Sequence, residues 1–147
     1  MIGEKLEIQI KEDLVKHEGC KTSVYLCSEG IPTVGIGHML LGVDGLEVGD
    51  EVPMEAVLEW FDTDYKEAVA DCVALLPSFE SLPDQVKRVL VNMAFNLGRN
   101  RLGKFKKMLA AVEAGDWTEA ANQMVDSRWY NQVGNRSIEL ENWMRNA

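Results

Sequence analysis

The sequence predicts a mostly helical α+β protein that forms a single domain over residues 1–147. Two observations carry this prediction: apolar residues recur at helical spacing through most of the chain, and one short stretch is rich in β-branched and aromatic residues. With 46% hydrophobic and 27% charged residues, the composition is that of a globular protein with one sizeable core. We therefore expect several helices and one small sheet.

The first predicted element is an amphipathic helix over residues 4–18. Its apolar residues recur every four positions, at Leu6, Ile10 and Leu14, and Gly19 is suited to end it. The next segment predicts a β-hairpin or a three-stranded meander around a turn at residues 28–30.

The rest of the chain predicts helices. One of more than twenty residues begins at Pro53 and ends before Pro77, and its length suits a connection between two lobes. Ser81 and Asp84 have capping spacing, which predicts a helix that begins there and ends at Gly98. Three shorter helices are predicted at residues 104–114, 116–125 and 136–145, the second of them capped by Asp116.

These elements predict a small lobe at residues 19–52 and a helical lobe at residues 77–147. The helix at 4–18 is expected to pack with the helical lobe, and the helix at 53–76 to connect the two lobes.

Charge is distributed unevenly along the chain. Residues 1–81 hold 5 Lys/Arg against 17 Asp/Glu (net -12), whereas residues 82–147 hold 10 against 7 (net +3). The total of -9 argues against a protein that binds nucleic acid independently of its sequence, because such a protein needs a basic surface. No apolar stretch has the length of a signal peptide or a membrane span, so we expect no export signal and no membrane insertion. We expect a monomer whose cysteines are thiols.

Glu18 is the first candidate for chemistry. It lies on the last turn of the predicted first helix, where the negative end of the helix macrodipole favours the protonated carboxyl group that a general acid needs. Cys27 and Thr33 follow in the hairpin, where a buried small side chain and an ordinary strand residue are the simpler interpretations. The spacing of His17, Cys20, Cys27 and His38 matches no zinc site, and we expect no metal and no cofactor.

Three runs, HEGCKTSVYLCSEGIPTVGIGHML, VNMAFNLG and SRWYNQVGNR, resemble the phage-type lysozymes (endolysins, muramidases) of the T-even type along essentially the whole chain. The most specific feature is a glutamate, eight residues, a cysteine or aspartate, five residues and a threonine, followed by a glycine-rich turn that ends in histidine. Glu18, Cys27 and Thr33 fit this pattern without a gap.

The resemblance implies a two-lobed lysozyme-like fold and hydrolysis of the β-1,4 bond between N-acetylmuramic acid and N-acetylglucosamine in bacterial peptidoglycan. On this basis Glu18 is the general acid, and Cys27 and Thr33 hold the attacking water on the other face of the sugar. Inverting hydrolysis needs two groups ~6.5–9.5 Å apart, and a helix end facing a hairpin across a cleft would provide that gap.

The resemblance also implies supporting roles. Arg136 would be the buried partner that restrains Glu18, and His38 would pair with Asp64 on the long helix. The expected glycan contacts are Met39, Phe95, Met108 and Gln123. The expected partners are the peptidoglycan glycan strand and a pore-forming holin, since a protein without an export signal would wait in the host bacterial cytoplasm until the membrane opens.

Cys27 stands where T-even members of the family have aspartate, and an ordinary thiol is mostly protonated at neutral pH. Its role as base, water holder or nucleophile is therefore open. Two other functions stay possible: a lytic transglycosylase, which cleaves the same bond with one glutamate, and a non-catalytic glycan-binding module.

Overall fold

The computed structural model describes residues 2–40, 42 and 44–147. It contains a three-stranded sheet and a set of helices that account for 65% of the chain, so the predicted mostly helical α+β class is confirmed. In chain order the elements are α1 (Glu4–Glu18), β1 (Lys21–Leu26), β2 (Pro32–Gly35), β3 (His38–Met39), α2 (Met54–Leu75), a 3-10 helix (Phe79–Ser81), α3 (Asp84–Gly103), α4 (Lys106–Glu113), α5 (Trp117–Val125), α6 (Arg128–Gln132) and α7 (Asn135–Arg145). Among the described residues, no helix combines the length and the hydropathy needed to cross a membrane.

The chain divides into two compact units. The helical unit comprises Met1–Ile10 and Ala68–Ala147, and the hairpin unit comprises Lys11–Glu67. Their boundaries fall within α1 and within α2. The predicted lobes at 19–52 and 77–147 and the connecting role of the helix at 53–76 stay predictions.

The hairpin unit is built on an antiparallel sheet with strand order β1-β2-β3. Thr33 on the middle strand pairs with Tyr25 of β1 and with Met39 of β3. Alternate residues of a strand point to the same side of a sheet. The apolar side chains on one face of this sheet therefore form a small cluster. This cluster consists of Val24, Val34 and Leu40, with Leu46, Val52 and Trp60 packed against it.

The helical unit has a core rich in methionine and leucine. In this unit α4 packs on α5, and both α3 and α5 pack on α7. Methionine suits such irregular contacts between short helices, since its unbranched side chain adapts to the space available. The long side chains that are fully buried here include Leu90, Met93, Leu102, Met108, Met124, Leu140 and Met144.

The predicted cap at Ser81 is wrong. Ser81 ends the 3-10 helix, and its hydroxyl donates to the Ser78 carbonyl at 2.9 Å. Leu82 has extended backbone angles (φ -71°, ψ 150°), as expected of a residue that precedes proline. The helix therefore begins after Pro83, whose side chain provides no capping hydrogen bond.

The predicted helix end at Gly98 coincides with a break in helical geometry, since Gly98 has φ 78° and ψ 168°, and a second helical segment of α3 follows it and continues to Gly103. The five-residue helix α6 was not predicted, because so short a segment shows no apolar periodicity. Its start is marked by Ser127, whose hydroxyl accepts a hydrogen bond from the Tyr130 amide. Asp116 caps α5 as predicted and accepts from the Glu119 amide at 3.0 Å.

Candidate active site

Glu18 is the last residue of α1 and is half-buried in the hairpin unit. The chain turns away immediately after it, since Gly19 has φ 74° and its amide donates to the Val15 carbonyl at 2.9 Å. The Glu18 side chain lies against the backbone of Gly37, so closely that a Cβ at position 37 would be 2.6 Å from Oε1. The absence of a side chain at Gly37 is therefore what makes room for the Glu18 carboxylate.

Replacing Gly37 by alanine is expected to displace the Glu18 carboxylate. The new Cβ would also lie 2.8 Å from the Glu18 Cδ, and only the flexible side chain of Glu18 can move to relieve the overlap. The φ of 65° at Gly37 adds a cost of about 1–2 kcal/mol for any other residue. We expect a folded protein whose lytic rate falls by ~10-fold or more, since a misplaced catalytic group is costly.

The matched control for Gly37→Ala is Gly115→Ala. Gly115 has a similar φ of 74°, but a Cβ there meets no heavy atom within 4 Å. Thermal unfolding measures the backbone cost of both variants, and a turbidity assay measures lysis. If both variants lose the same activity at the same loss of stability, the packing of Glu18 on Gly37 does not matter for lysis.

Cys27 lies in the turn between β1 and β2. The turn is fixed by two backbone hydrogen bonds, from the Cys27 amide to the Ile31 carbonyl at 3.0 Å and from the Gly30 amide to the Cys27 carbonyl at 2.9 Å. Burial alone would raise the pKa of the Cys27 thiol, but hydrogen bonds from the backbone of Ile31 and Glu29 and from the Thr33 side chain lower that pKa overall. The thiolate of Cys27 therefore forms more readily than that of an ordinary cysteine, despite the repulsion from the Glu29 carboxylate.

Thr33 is only 3% exposed, and its hydroxyl donates to the Ile31 carbonyl at 2.8 Å. The same hydroxyl is a hydrogen-bond partner of the Cys27 side chain. A hydroxyl has one hydrogen and accepts through its lone pairs, so it can accept from the protonated thiol or rotate to donate to the thiolate. Thr33 can therefore keep its hydrogen bond to Cys27 whether the Cys27 side chain gains or loses a proton.

The side chains of His38 and Asp64 are hydrogen-bonded to each other within the hairpin unit, with 2.7 Å between Nδ1 and Oδ2. The imidazole also stacks on the Trp60 ring, with centroids 4.7 Å apart and planes within 6°. These two contacts hold β3, and with it the turn that contains Gly37, against α2.

The other predicted site residues lie outside this group. Met39 is exposed on β3, whereas Phe95 and Gln123 are half-buried on α3 and α5. Arg136 on α7 is buried and donates from Nε to the Asn92 side chain at 2.9 Å. The predicted roles of these four residues stay predictions.

A cavity of about 760 Å³ lies within the helical unit. Met108, which is fully buried, and Gln123 line it, and Trp129 forms part of its wall and donates from Nε1 to the Asn96 side chain at 2.7 Å. Its lining contains one carboxylate, that of Asp126, and five cations, a third of the 15 in the chain: Arg101, Lys104, Lys106, Lys107 and Arg128. In the part of the chain that the structure describes, the three lysines and Arg128 form no ion pair.

Sequence reasoning missed two features of these sites. The first is the clustering of cations in the cavity, which come from α3, α4, α6 and the segment between α3 and α4. The only sequence signal for it was the positive net charge of residues 82–147. Tyr25 was also overlooked, although burial and the charges of Glu18 and Cys27 raise its pKa, which indicates that its phenol lies near both groups. A strand tyrosine carries no sequence signal of such a position.

Comparisons with known proteins agree with this picture. The chain is 31% and 29% identical to the probable T4-type lysozymes 1 and 2 of Dictyostelium discoideum, over 87% and 86% of its length and 88% of each of theirs. It is 30% identical to the pre-baseplate central spike protein Gp5 of Enterobacteria phage T4, over 90% of its own length but only 27% of the spike protein.

The model of one protein family matches residues 15–145, which include Glu18, Cys27 and Thr33. This match covers most of the chain, and the relatives named lysozymes indicate a glycan-cleaving glycosidase. The chain therefore belongs to the phage lysozyme family.

Proposed function

We propose that the protein is an endolysin that hydrolyses the β-1,4 bond between N-acetylmuramic acid and N-acetylglucosamine in bacterial peptidoglycan. One observation carries the proposal. The carboxylate of Glu18, which packs on Gly37, and the hydrogen-bonded pair of Cys27 and Thr33 belong to the same compact unit. The membership of the phage lysozyme family supports the same chemistry.

In the proposed reaction Glu18 donates its proton to the glycosidic oxygen as the bond to the anomeric carbon breaks. A water molecule attacks the anomeric carbon from the opposite face and gives up a proton as the new carbon–oxygen bond forms. The Cys27 thiolate accepts this proton, and Thr33 rotates from donor to acceptor. The lowered pKa of Cys27 supports this role, because it makes a thiolate more available at a position where T-even members of the family have a carboxylate.

The proposal includes Met39 of the hairpin unit and Phe95, Met108 and Gln123 of the helical unit as glycan contacts. Arg136 and the His38–Asp64 pair are kept as supporting residues. A pore-forming holin would give a cytoplasmic protein of this kind access to the wall of its bacterial host, where lysis would follow. The protein would act as a monomer.

The cavity in the helical unit, which is lined by five cations and is called the cationic cavity below, supports a charged cell-wall polymer rather than a neutral glycan as the substrate. Peptidoglycan carries carboxylates on its peptides, and a cavity with five cations and one carboxylate attracts such groups. The attraction is local, because the protein as a whole has a net charge of -9. We therefore expect the cavity lysines, and not the overall charge, to govern the encounter with the wall.

Lys107→Glu is expected to lower the initial lysis rate by ~3–10-fold at 10 mM salt, and by less at 150 mM. Salt shortens the Debye length from ~30 Å to ~8 Å over this range and so screens the lost attraction. Lys5→Glu is the control, because it makes the same change in net charge at an exposed position of α1, outside the cavity lining. Equal effects of the two substitutions at every salt concentration would show that net charge governs the encounter.

Mass spectrometry of the products released from purified peptidoglycan tests the proposed reaction. Hydrolysis gives products with a reducing N-acetylmuramic acid end. A protein that binds the wall and releases nothing, with intact fold by circular dichroism, would be a non-catalytic glycan-binding module.

A lytic transglycosylase is the second candidate. The observation that favours it is the thiol of Cys27 at a position where T-even members of the family carry a second carboxylate. Its products end in a 1,6-anhydro sugar and are lighter by one water, so the same mass spectra distinguish the two reactions.

A further inference from the structure

The cationic cavity has the size and the fixed wall of a site for a small ligand. Its volume of about 760 Å³ lies within the usual range of such sites, about 300–1,000 Å³. Trp129 in its wall is 4% exposed and is held by two contacts. Its Nε1 donates to the Asn96 side chain at 2.7 Å, and its ring meets the Phe105 ring edge-on, with centroids 6.1 Å apart. This part of the wall is therefore formed before any ligand arrives.

The charge of the cavity lining is strongly unbalanced. Five cations against the single carboxylate of Asp126 leave a net charge of +4. Within the described residues, no ion pair neutralises the three lysines or Arg128. The protein as a whole has a net charge of -9, so an anion that binds here is attracted by this local cluster and not by the overall charge.

Two of the cavity lysines lie where a helix tolerates cations least. Lys106 and Lys107 are in the first turn of α4, which contains no acidic residue, and Phe105 before the helix provides no side-chain cap. The macrodipole of a helix is positive at this end, so both ammonium groups are repelled by it. An anion in the cavity would relieve a repulsion that these residues of the chain do not neutralise.

The density of charge indicates which kind of anion fits. A peptide carries one negative charge per acidic residue, so a peptide small enough for the cavity neutralises only part of the net charge. A phosphate monoester carries a charge of about -1.5 to -2 at neutral pH and has three strong acceptor oxygens. Lysine and arginine both donate charge-assisted hydrogen bonds to such oxygens. A short chain of linked phosphates therefore matches the cavity better than a peptide of the same size.

We propose that the cationic cavity is a binding site for a small oligophosphate anion, which its three lysines and two arginines hold. The occupant competes with the anionic wall for the same side chains and so slows lysis. Binding of the oligophosphate does not depend on catalysis, and only the effect on lysis rests on the proposed function.

Isothermal titration calorimetry with inorganic tripolyphosphate, at low salt and without divalent cations, measures the binding directly. We expect one ligand per protein molecule and a Kd that rises with added NaCl. Citrate, a tricarboxylate, provides several charges without phosphate and should bind ~10-fold more weakly or less. ATP distinguishes two sources of the same chemistry: tighter binding than tripolyphosphate identifies a nucleotide as the occupant, and equal or weaker binding identifies a free oligophosphate.

Lys107→Gln is expected to raise the Kd for tripolyphosphate about fivefold, the effect of losing one exposed charge pair. It should not lower the melting temperature, because it removes a cation from the first turn of α4. Lys5→Gln is the matched control, since it makes the same change at an exposed position of α1 outside the cavity lining, and its Kd should equal that of the parent.

Release of dye-labelled fragments from purified peptidoglycan measures the effect on lysis. Tripolyphosphate should slow this release by the parent, and the concentration that halves the rate should be about fivefold higher for Lys107→Gln. The proposal is overturned if tripolyphosphate does not bind, if citrate binds equally well, or if Lys5→Gln weakens binding as much as Lys107→Gln. A protein that binds tripolyphosphate but releases no fragments from the wall would refute the proposed function and leave this binding site valid.

Discussion

Glu18→Gln is expected to lower the rate of wall lysis by ~10²–10⁴-fold, the range associated with the loss of general acid catalysis. Glutamine keeps the shape of the side chain that packs on Gly37, but it cannot deliver a proton to the leaving oxygen. The fold should therefore survive, with a melting temperature close to that of the parent. Initial rates of turbidity loss on permeabilised Gram-negative cells measure the effect.

Glu12→Gln is the matched control for this prediction. It makes the same chemical change on the same helix, at an exposed position. The control should lyse cells as the parent does. A folded Glu18→Gln protein that lyses cells within tenfold of the parent would remove Glu18 from the reaction.

Cys27→Ala is expected to reduce lysis by ~10²-fold, because it removes the group that holds the attacking water and accepts its proton. Cys27→Asp should retain most of the activity, since it supplies an anion where the thiolate lies. Hydrogen bonds from the backbone of Ile31 and Glu29 are available to either anion. Rates of lysis and product spectra of the two variants, measured side by side, check this prediction.

The pH dependence of alkylation provides a second readout for Cys27. Its pKa is lowered, so the reactive thiolate persists to lower pH than in an ordinary thiol, and alkylation should remain fast where ordinary thiols slow down. Cys72 should not react in the folded protein, since it is fully buried and burial raises its pKa. Full lysis by a Cys27-alkylated protein would show that the thiol takes no part in catalysis.

Local signals in the sequence predicted much of the fold. The apolar spacing of α1 and the glycine after Glu18 define that helix, and Asp116 marks the start of α5 through a hydrogen bond to its own first turn. Each of these signals depends on residues a few positions apart. They could be recognised because local backbone geometry, and not tertiary contact, decides them.

The errors have the opposite origin. Ser81 has the spacing of a cap, yet Pro83 keeps the preceding residue extended and delays the start of α3. Among the site residues, the pattern around Glu18 and Cys27 could be predicted only from the family resemblance. The packing of Glu18 on Gly37 and the stacking of His38 on Trp60 depend on how the hairpin unit folds, which spacing alone does not encode.

The interruption of α3 at Gly98 divides this helix into two parts that need not open together. Gly98 has a positive φ of 78°, which breaks the helical geometry, so the short second part, residues 99–103, is not stabilised cooperatively by the long first part. The second part is anchored at its first residue, because the Nε of Arg99 lies 2.9 Å from the buried carboxylate of Asp71. Arg101, which lines the cationic cavity, belongs to this second part. The cavity edge that carries Arg101 is therefore held in place by the Arg99–Asp71 ion pair and by the fully buried side chain of Leu102, and not by the first part of the helix.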